Sequence, residues 1–157
     1  MNYFKKIFIT FLSALILTVV NTSSSFAKVE GDTIVLGAAV SLTGKYSSNG
    51  VHTQNGYNLA VERINSMGGV KVKGKNYKFK IIYYDDESNS GRAAQLAERL
   101  IKQDGVQYML GPYSSGLTKA MAPVTEKYKI PMVEANGASR SLFTKGYKYL
   151  FAVLAPA

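Results

Sequence analysis

The sequence predicts an α/β fold: a three-layer parallel sheet with crossover helices. Two observations carry that expectation. Short apolar runs alternate along the chain with stretches of helical periodicity, the pattern of a parallel sheet joined by helices. Glycine and small hydroxyl residues also cluster where two of those runs end, at Gly111-Pro112-Tyr113-Ser114-Ser115-Gly116 and at Glu134-Ala135-Asn136-Gly137-Ala138-Ser139. In an open α/β sheet, ligands bind outside the carboxyl ends of the strands.

Thr33–Val40 is almost wholly apolar and reads as a first strand buried on both faces. Tyr57, Ala60, Val61 and Ile64 then recur at helical spacing, and Gly68-Gly69 ends that helix. Lys78–Tyr84 alternates charged and apolar residues as a second strand and runs into Asp85-Asp86-Glu87. Ala93, Leu96, Ala97, Leu100 and Ile101 form the next helical stripe, with Asn89 or Ser90 placed to cap it and Gly105 just past its end. The third strand is Gln107–Leu110. The stripe Leu117, Ala120, Met121, Val124 follows, with Pro123 inside it to kink the helix or start a second segment. Ile130–Val133 and Tyr149–Val153 are the fourth and fifth strands. With no helix after the last of these, one sheet edge and part of one face are expected to be bare and to invite self-association.

Residues 1–27 read as a cleavable export signal. Lys5 and Lys6 precede the apolar run Ile7–Val20, and Ser25-Phe26-Ala27 supplies a small-x-small cleavage site after Ala27. The run is shorter than the ~20 residues a spanning helix needs. Residues 28–157 are then one exported α/β domain. The net charge is +9, and Lys71, Lys73, Lys75, Lys78 and Lys80 cluster around one turn and strand entry. A nucleic-acid patch interleaves such charges with stacking aromatics on a defined face, and export argues against that reading and for a solvated loop.

Chemistry of other kinds finds little material. With no cysteine and a single histidine, His52, neither a zinc site nor a Cys–His pair can be assembled. Gly37 and Gly44-Lys45 lack the spacing of a phosphate loop, and no Gly-x-Ser-x-Gly elbow presents a serine to His52. Asp85-Asp86-Glu87 cannot all face one point, because side chains alternate along a strand. That acidic run reads as a solvated loop or a helix cap. An enzyme is not expected, and neither a metal nor a cofactor.

What remains is the pair of junctions. The first amides of a helix lack partners, and a serine hydroxyl beside them completes a site for a carboxylate or phosphate. Ser115 and Ser139 read equally as ordinary N-caps.

The stretches Ile34–Gly44 (IVLGAAVSLTG), Asn55–Gly69 (NGYNLAVERINSMGG), Tyr83–Glu87 (YYDDE), Gly111–Gly116 (GPYSSG) and Ile130–Ser139 (IPMVEANGAS) together resemble a known family. The chain is similar to the N-terminal part of a type I periplasmic binding protein, of the amino-acid (branched-chain, Leu/Ile/Val) substrate-binding kind that serves ABC transporters. The resemblance implies two lobes closing on a ligand, with the first lobe holding the ligand's carboxylate. Carried over by position, it assigns that role to the hydroxyls of Ser115 and Ser139 and to the adjacent backbone of Gly137 and Ala138. Ser114 and Tyr113 are second choices. Tyr46, in the loop Thr43–Gly50, is the implied contact for the ligand's side chain, although Asn49 stands where some amino-acid binders carry an aromatic. The implied partners are a small carboxylate such as an amino acid and an inner-membrane ABC permease; the alternative is an exported sensing domain of a signalling receptor. Family members are more than twice as long, so the sequence reads as a fragment without the second lobe.

Overall fold

The computed structural model describes residues 28–157. The expected signal peptide and its cleavage site fall on residues 1–27 and lie outside the described residues.

The elements follow in the order β1 (Val29–Glu30), β2 (Thr33–Val40), α1 (Ser47–Ser66), β3 (Val70–Val72), β4 (Lys75–Asp85), α2 (Ser90–Lys102), β5 (Met109–Leu110), α3 (Ser115–Tyr128), β6 (Met132–Glu134), a 3-10 turn (Arg140–Leu142) and β7 (Leu150–Ala152). They form one seven-stranded sheet in the order β3-β4-β2-β5-β6-β7, with β1 paired to β2. β4, β2, β5, β6 and β7 are mutually parallel. The sheet is not purely parallel as expected: β1 runs antiparallel to β2, and β3 to β4. Both additions are short hairpins whose turns need φ above zero, at Gly31 and at Lys73-Gly74.

Strand parity decides which layer each residue joins. Val35 and Ala39 on β2 face α2 and α3, whose Leu96, Leu100, Leu117 and Met121 complete the core. Ile82 and Tyr84 on β4, opposite Gly37 and Ala39, join the same side. The alternate positions face α1: Tyr83 Oη donates to Asn58 Oδ1 at 2.8 Å, and Asn65 bonds both backbone groups of Phe79. The three layers are therefore present.

α2 begins as expected, with Asn89 Oδ1 accepting from Arg92 N at 2.9 Å. α3 runs unbroken through Pro123, whose exposed position limits the cost to the hydrogen bond it cannot make. The stripe on α1 is a correction. Ala60 is exposed, Leu59 is 67% exposed, and the helix starts ten residues before Tyr57. A second apolar surface is open where α1 does not reach. Ile34, Leu36, Phe79, Tyr108 and Val133 line a shallow hollow there, and Phe151 beside it is 50% exposed.

The acidic run is also a correction, since neither Asp85 nor Asp86 is merely solvated. Asp86 is fully buried and accepts from Ser41 Oγ at 2.6 Å and Ser88 N at 2.8 Å. Asp85 accepts from the amides of Leu42, Thr43 and Glu87 and from Thr43 Oγ1, and these bonds hold its carboxyl below the usual aspartate range. Together they pin the β2–α1 loop to the end of β4. Among the described residues, no group of three His, Cys, Asp or Glu side chains converges as metal ligands.

Candidate ligand cleft at the strand ends

Parallel strands put all their carboxyl ends at one pole, so the loops after β5 and β6 meet the first turns of α1 there. Between them lies a cleft of about 410 Å³, lined by Asn49, His52, Thr53, Gly56 and Tyr57 of α1 and by Tyr113, Ala135 and Asn136 of the two junctions. That size is within the range of small-molecule sites.

The helix supplies its wall by simple periodicity. Positions 49, 52, 53, 56 and 57 fall on one face of a 3.6-residue helix. Small residues let that face approach the sheet: Gly50 is buried so closely that an added Cβ would lie 1.9 Å from the carbonyl oxygen of Ser41. Tyr57 anchors the far end, its hydroxyl donating to the carbonyl of Gly111 at 2.8 Å. Burial, and secondarily the nearby charge of Glu134, push the Tyr57 phenol far above its ordinary range, so it stays a neutral donor.

The two junctions are joined directly. Ser115 Oγ accepts from Ser139 N at 3.1 Å. Ser115 is not the cap of α3. Ser114 is, accepting from Leu117 N at 3.4 Å while its carbonyl takes Thr118 N and Oγ1. Ser115 is thereby the first helical residue, with its hydroxyl aimed at the neighbouring loop. Ser139 opens the 3-10 turn without a side-chain cap bond, and its Oγ is 2.9 Å from Ser141 Oγ. Ser114 adopts φ 78°, a backbone region that costs a non-glycine residue about 1–3 kcal/mol. Ser114→Gly forfeits only a few tenths of a kcal/mol of capping. We therefore expect it to raise the urea midpoint, by the equivalent of about 1 kcal/mol.

The backbone of the second junction is already engaged. Glu134, the last residue of β6, is completely buried, and its Oε2 accepts from the amides of Asn136 and Gly137. The Gly137 N–H therefore points inward, and the carbonyl of Ala138 accepts from Ala157 N at 2.7 Å. Glu134 Oε1 is buried without a hydrogen-bond partner among the described residues. Burial raises the carboxyl above the usual glutamate range, and the two amides offset this in part.

Of the residues expected from sequence, Tyr113 lines the cleft, and Tyr46 packs edge-on against it with ring centroids 5.6 Å apart. Ser114, Ser115, Gly137, Ala138 and Ser139 are engaged in hydrogen bonds beside the cleft, whose wall on this side is formed by Tyr113, Ala135 and Asn136. The α1 contribution was missed. Its signal was present as a polar stripe, Asn49, His52, Thr53, Gly56, ahead of the apolar one.

Comparison with known proteins agrees with this architecture. The sequence model of the family described as "Periplasmic binding protein" matches residues 33–156. The leucine-, isoleucine-, valine-, threonine- and alanine-binding protein of Pseudomonas aeruginosa is 26% identical over 123 residues, 78% of this chain and 32% of that protein. Among solved structures, the branched-chain amino acid transporter substrate binding protein LivJ from Streptococcus pneumoniae, in complex with isoleucine, superposes with a TM-score of 0.71 at 31% identity. That match covers 79% of this chain and 34% of the other. An ABC transporter solute binding protein from R. palustris in complex with 4-hydroxybenzoate gives 0.65 at 30% identity, over 80% and 32% of the two chains. The chain spans about a third of the length of these relatives. Its fold is that of a type I periplasmic binding protein lobe, and the chain belongs to the periplasmic binding protein family.

Proposed function

We propose that the chain is the carboxylate-holding lobe of an ABC importer's substrate-binding protein. In this reading it is exported to the periplasm with cleavage after Ala27, and it delivers an amino acid or similar small carboxylate to an inner-membrane permease. The observation that carries the reading is the Ser139 N to Ser115 Oγ bond, which fastens together the two junctions whose Tyr113, Ala135 and Asn136 line a cleft at the strand ends. The amides of Ser115 and Gly116, at the start of α3, have no acceptor inside that helix. They add donors beside the same hydroxyl. Tyr113 and Tyr57 supply flat apolar surface to the cleft, with Tyr46 packed against Tyr113.

The ligands named for the relatives support the class. Isoleucine and 4-hydroxybenzoate share a carboxylate on a compact apolar body. We assign the carboxylate to Ser115, Ser139 and the first turn of α3, and the apolar body to the tyrosines. With the Gly137 amide turned to Glu134, the second junction contributes through Asn136 and Ser139. A hydrogen bond to a charged carboxylate is worth ~1.5–3 kcal/mol. In a two-lobe parent that carries this chain as its first lobe, Ser115→Ala and Ser139→Ala are thus each expected to weaken isoleucine binding by roughly ten- to a hundredfold, read by calorimetry. Unchanged affinity in both would leave these serines a purely structural role.

A further inference from the structure

The cations of this chain are not spread evenly over the fold. Parallel strands and returning helices place strand starts and helix ends together at the pole opposite the cleft. That pole carries Lys71, Lys73, Lys75 and Lys78 on the β3–β4 hairpin, Lys129 after α3 and Lys148 before β7, all exposed. The ion pairs among the described residues involve Lys28, Lys80, Arg92 and Lys127, and none of these six.

The carboxylates at the same pole are committed within the chain. Glu30 is shared by Lys28 and Lys80, and Asp32 accepts from Thr33 Oγ1. Asp104 accepts from Tyr84 Oη, and Glu126 from the amides of Lys148 and Tyr149. At the cleft pole the charges are mixed, with Asp85, Asp86 and Glu134 fixed at the strand ends and Lys45, Arg92, Lys119 and Arg140 on the loops and first helical turns around them. Lysines blunt an edge strand, and one cation near a helix end complements its dipole. Those roles account for a lysine at each place. They leave unexplained four lysines and no acid over Val70–Lys78, folded into a hairpin whose tip also exposes Val72 at 45%.

We propose that this lysine pole docks the protein on an anionic phospholipid surface. The chemistry selects that partner over nucleic acid. The groups are hydrated point charges spread over a pole rather than guanidinium forks, and among them Tyr77 lies under Lys75 as a cation–π partner instead of standing free to stack on a base. Docked by this pole, the protein is held at the bilayer with the cleft left uncovered at the opposite strand ends. The attraction is additive per lysine and falls off within a Debye length, so docking is weak and salt-sensitive.

Residues 28–157, which contain all the packing described above, are tested by co-sedimentation with vesicles of phosphatidylcholine alone or with roughly 30% phosphatidylglycerol, in about 50 and about 500 mM KCl. The expected result is partitioning to the anionic vesicles at low salt and none to neutral vesicles. Joint replacement Lys71→Gln, Lys73→Gln, Lys75→Gln and Lys78→Gln should lower it at least roughly tenfold, and the four-arginine version should restore it. Lys45→Gln with Lys119→Gln, at the cleft pole, should leave it unchanged. Equal binding to neutral vesicles, equal binding by the four-glutamine variant, or no binding at low salt overturns the proposal. Isoleucine titration of the same variants separates this outcome from the solute-binding reading, since the hairpin lies away from the cleft.

Discussion

Glu134→Ala should destabilise the chain by about 2–4 kcal/mol in urea unfolding, among the largest effects of any single side-chain truncation. The substitution removes the acceptor for the amides of Asn136 and Gly137, the second of them buried. A buried donor left unpaired costs ~1–3 kcal/mol, and the half-buried Asn136 amide and the cavity left by the side chain add to it. Part is returned, because the unpartnered Oε1 leaves as well. Glu134→Gln behaves differently: one oxygen still accepts both amides, and no charge can form. The native carboxyl titrates above the ordinary glutamate range, so the folded state holds its proton at pH values where the unfolded chain has released it. Native stability therefore falls as pH rises from the unfolded value near 4.5 through the raised native value, and is level above it. The glutamine variant should lack Glu134's share of that fall and keep the share of Asp86, whose carboxyl burial also raises. A pH series of urea midpoints on native and variant chains checks both statements, and parallel curves would refute the assignment.

The second large effect is expected at Gly50. An alanine Cβ there would lie 1.9 Å from the Ser41 carbonyl oxygen and 2.6 Å from its carbon, both backbone atoms. Ser41 cannot yield, because its hydroxyl is tied to buried Asp86. α1 must therefore move off the sheet, which we expect to cost about 3 kcal/mol or more. Since α1 carries Asn49, His52, Thr53 and Gly56, the same movement opens the cleft and should remove ligand binding. Gly56→Ala is the control on the same helix. Nothing lies within 4 Å of its added Cβ, so alanine should stabilise the chain by roughly 0.5–1 kcal/mol through helix propensity alone. Thermal unfolding of the pair separates close approach from general intolerance of substitution.

Where sequence reading succeeded, a local rule and the tertiary fold agreed. Val35 and Ala39 are apolar because α2 and α3 cover their face, while Leu36 on the other face lines the hollow that α1 leaves open, and Asn89 caps α2 because a side-chain oxygen was available at the right offset. The junctions were legible for the same reason: glycine and serine after an apolar run mark a strand end. It failed where a residue's role depends on partners far along the chain. Asp86 looks like a surface acid until Ser41, 45 residues earlier, is brought against it. Glu134 looks like the end of a strand, yet it consumes the Gly137 amide that the resemblance assigns to ligand. The α1 wall was missed because an apolar stripe was sought. A helix facing a polar cleft announces itself by a polar stripe, Asn49 to Gly56, and by a glycine where it crosses the sheet.

The central claim is that the cleft beside the joined junctions receives a small carboxylate. One chain presents a single wall, whereas a small-molecule site normally buries ~70–90% of its ligand. Affinity should accordingly be no tighter than roughly millimolar, about 4 kcal/mol. The most direct measurement is a titration of residues 28–157 with isoleucine and with 4-hydroxybenzoate, followed by amide NMR shifts. The account predicts saturable shifts concentrated at Tyr113, Ser115, Gly116, Asn136 and Ser139, with midpoints in the millimolar range for at least one ligand. Saturable shifts confined to residues away from the strand ends, or none for either ligand at tens of millimolar, roughly tenfold beyond the expected midpoint, would contradict it.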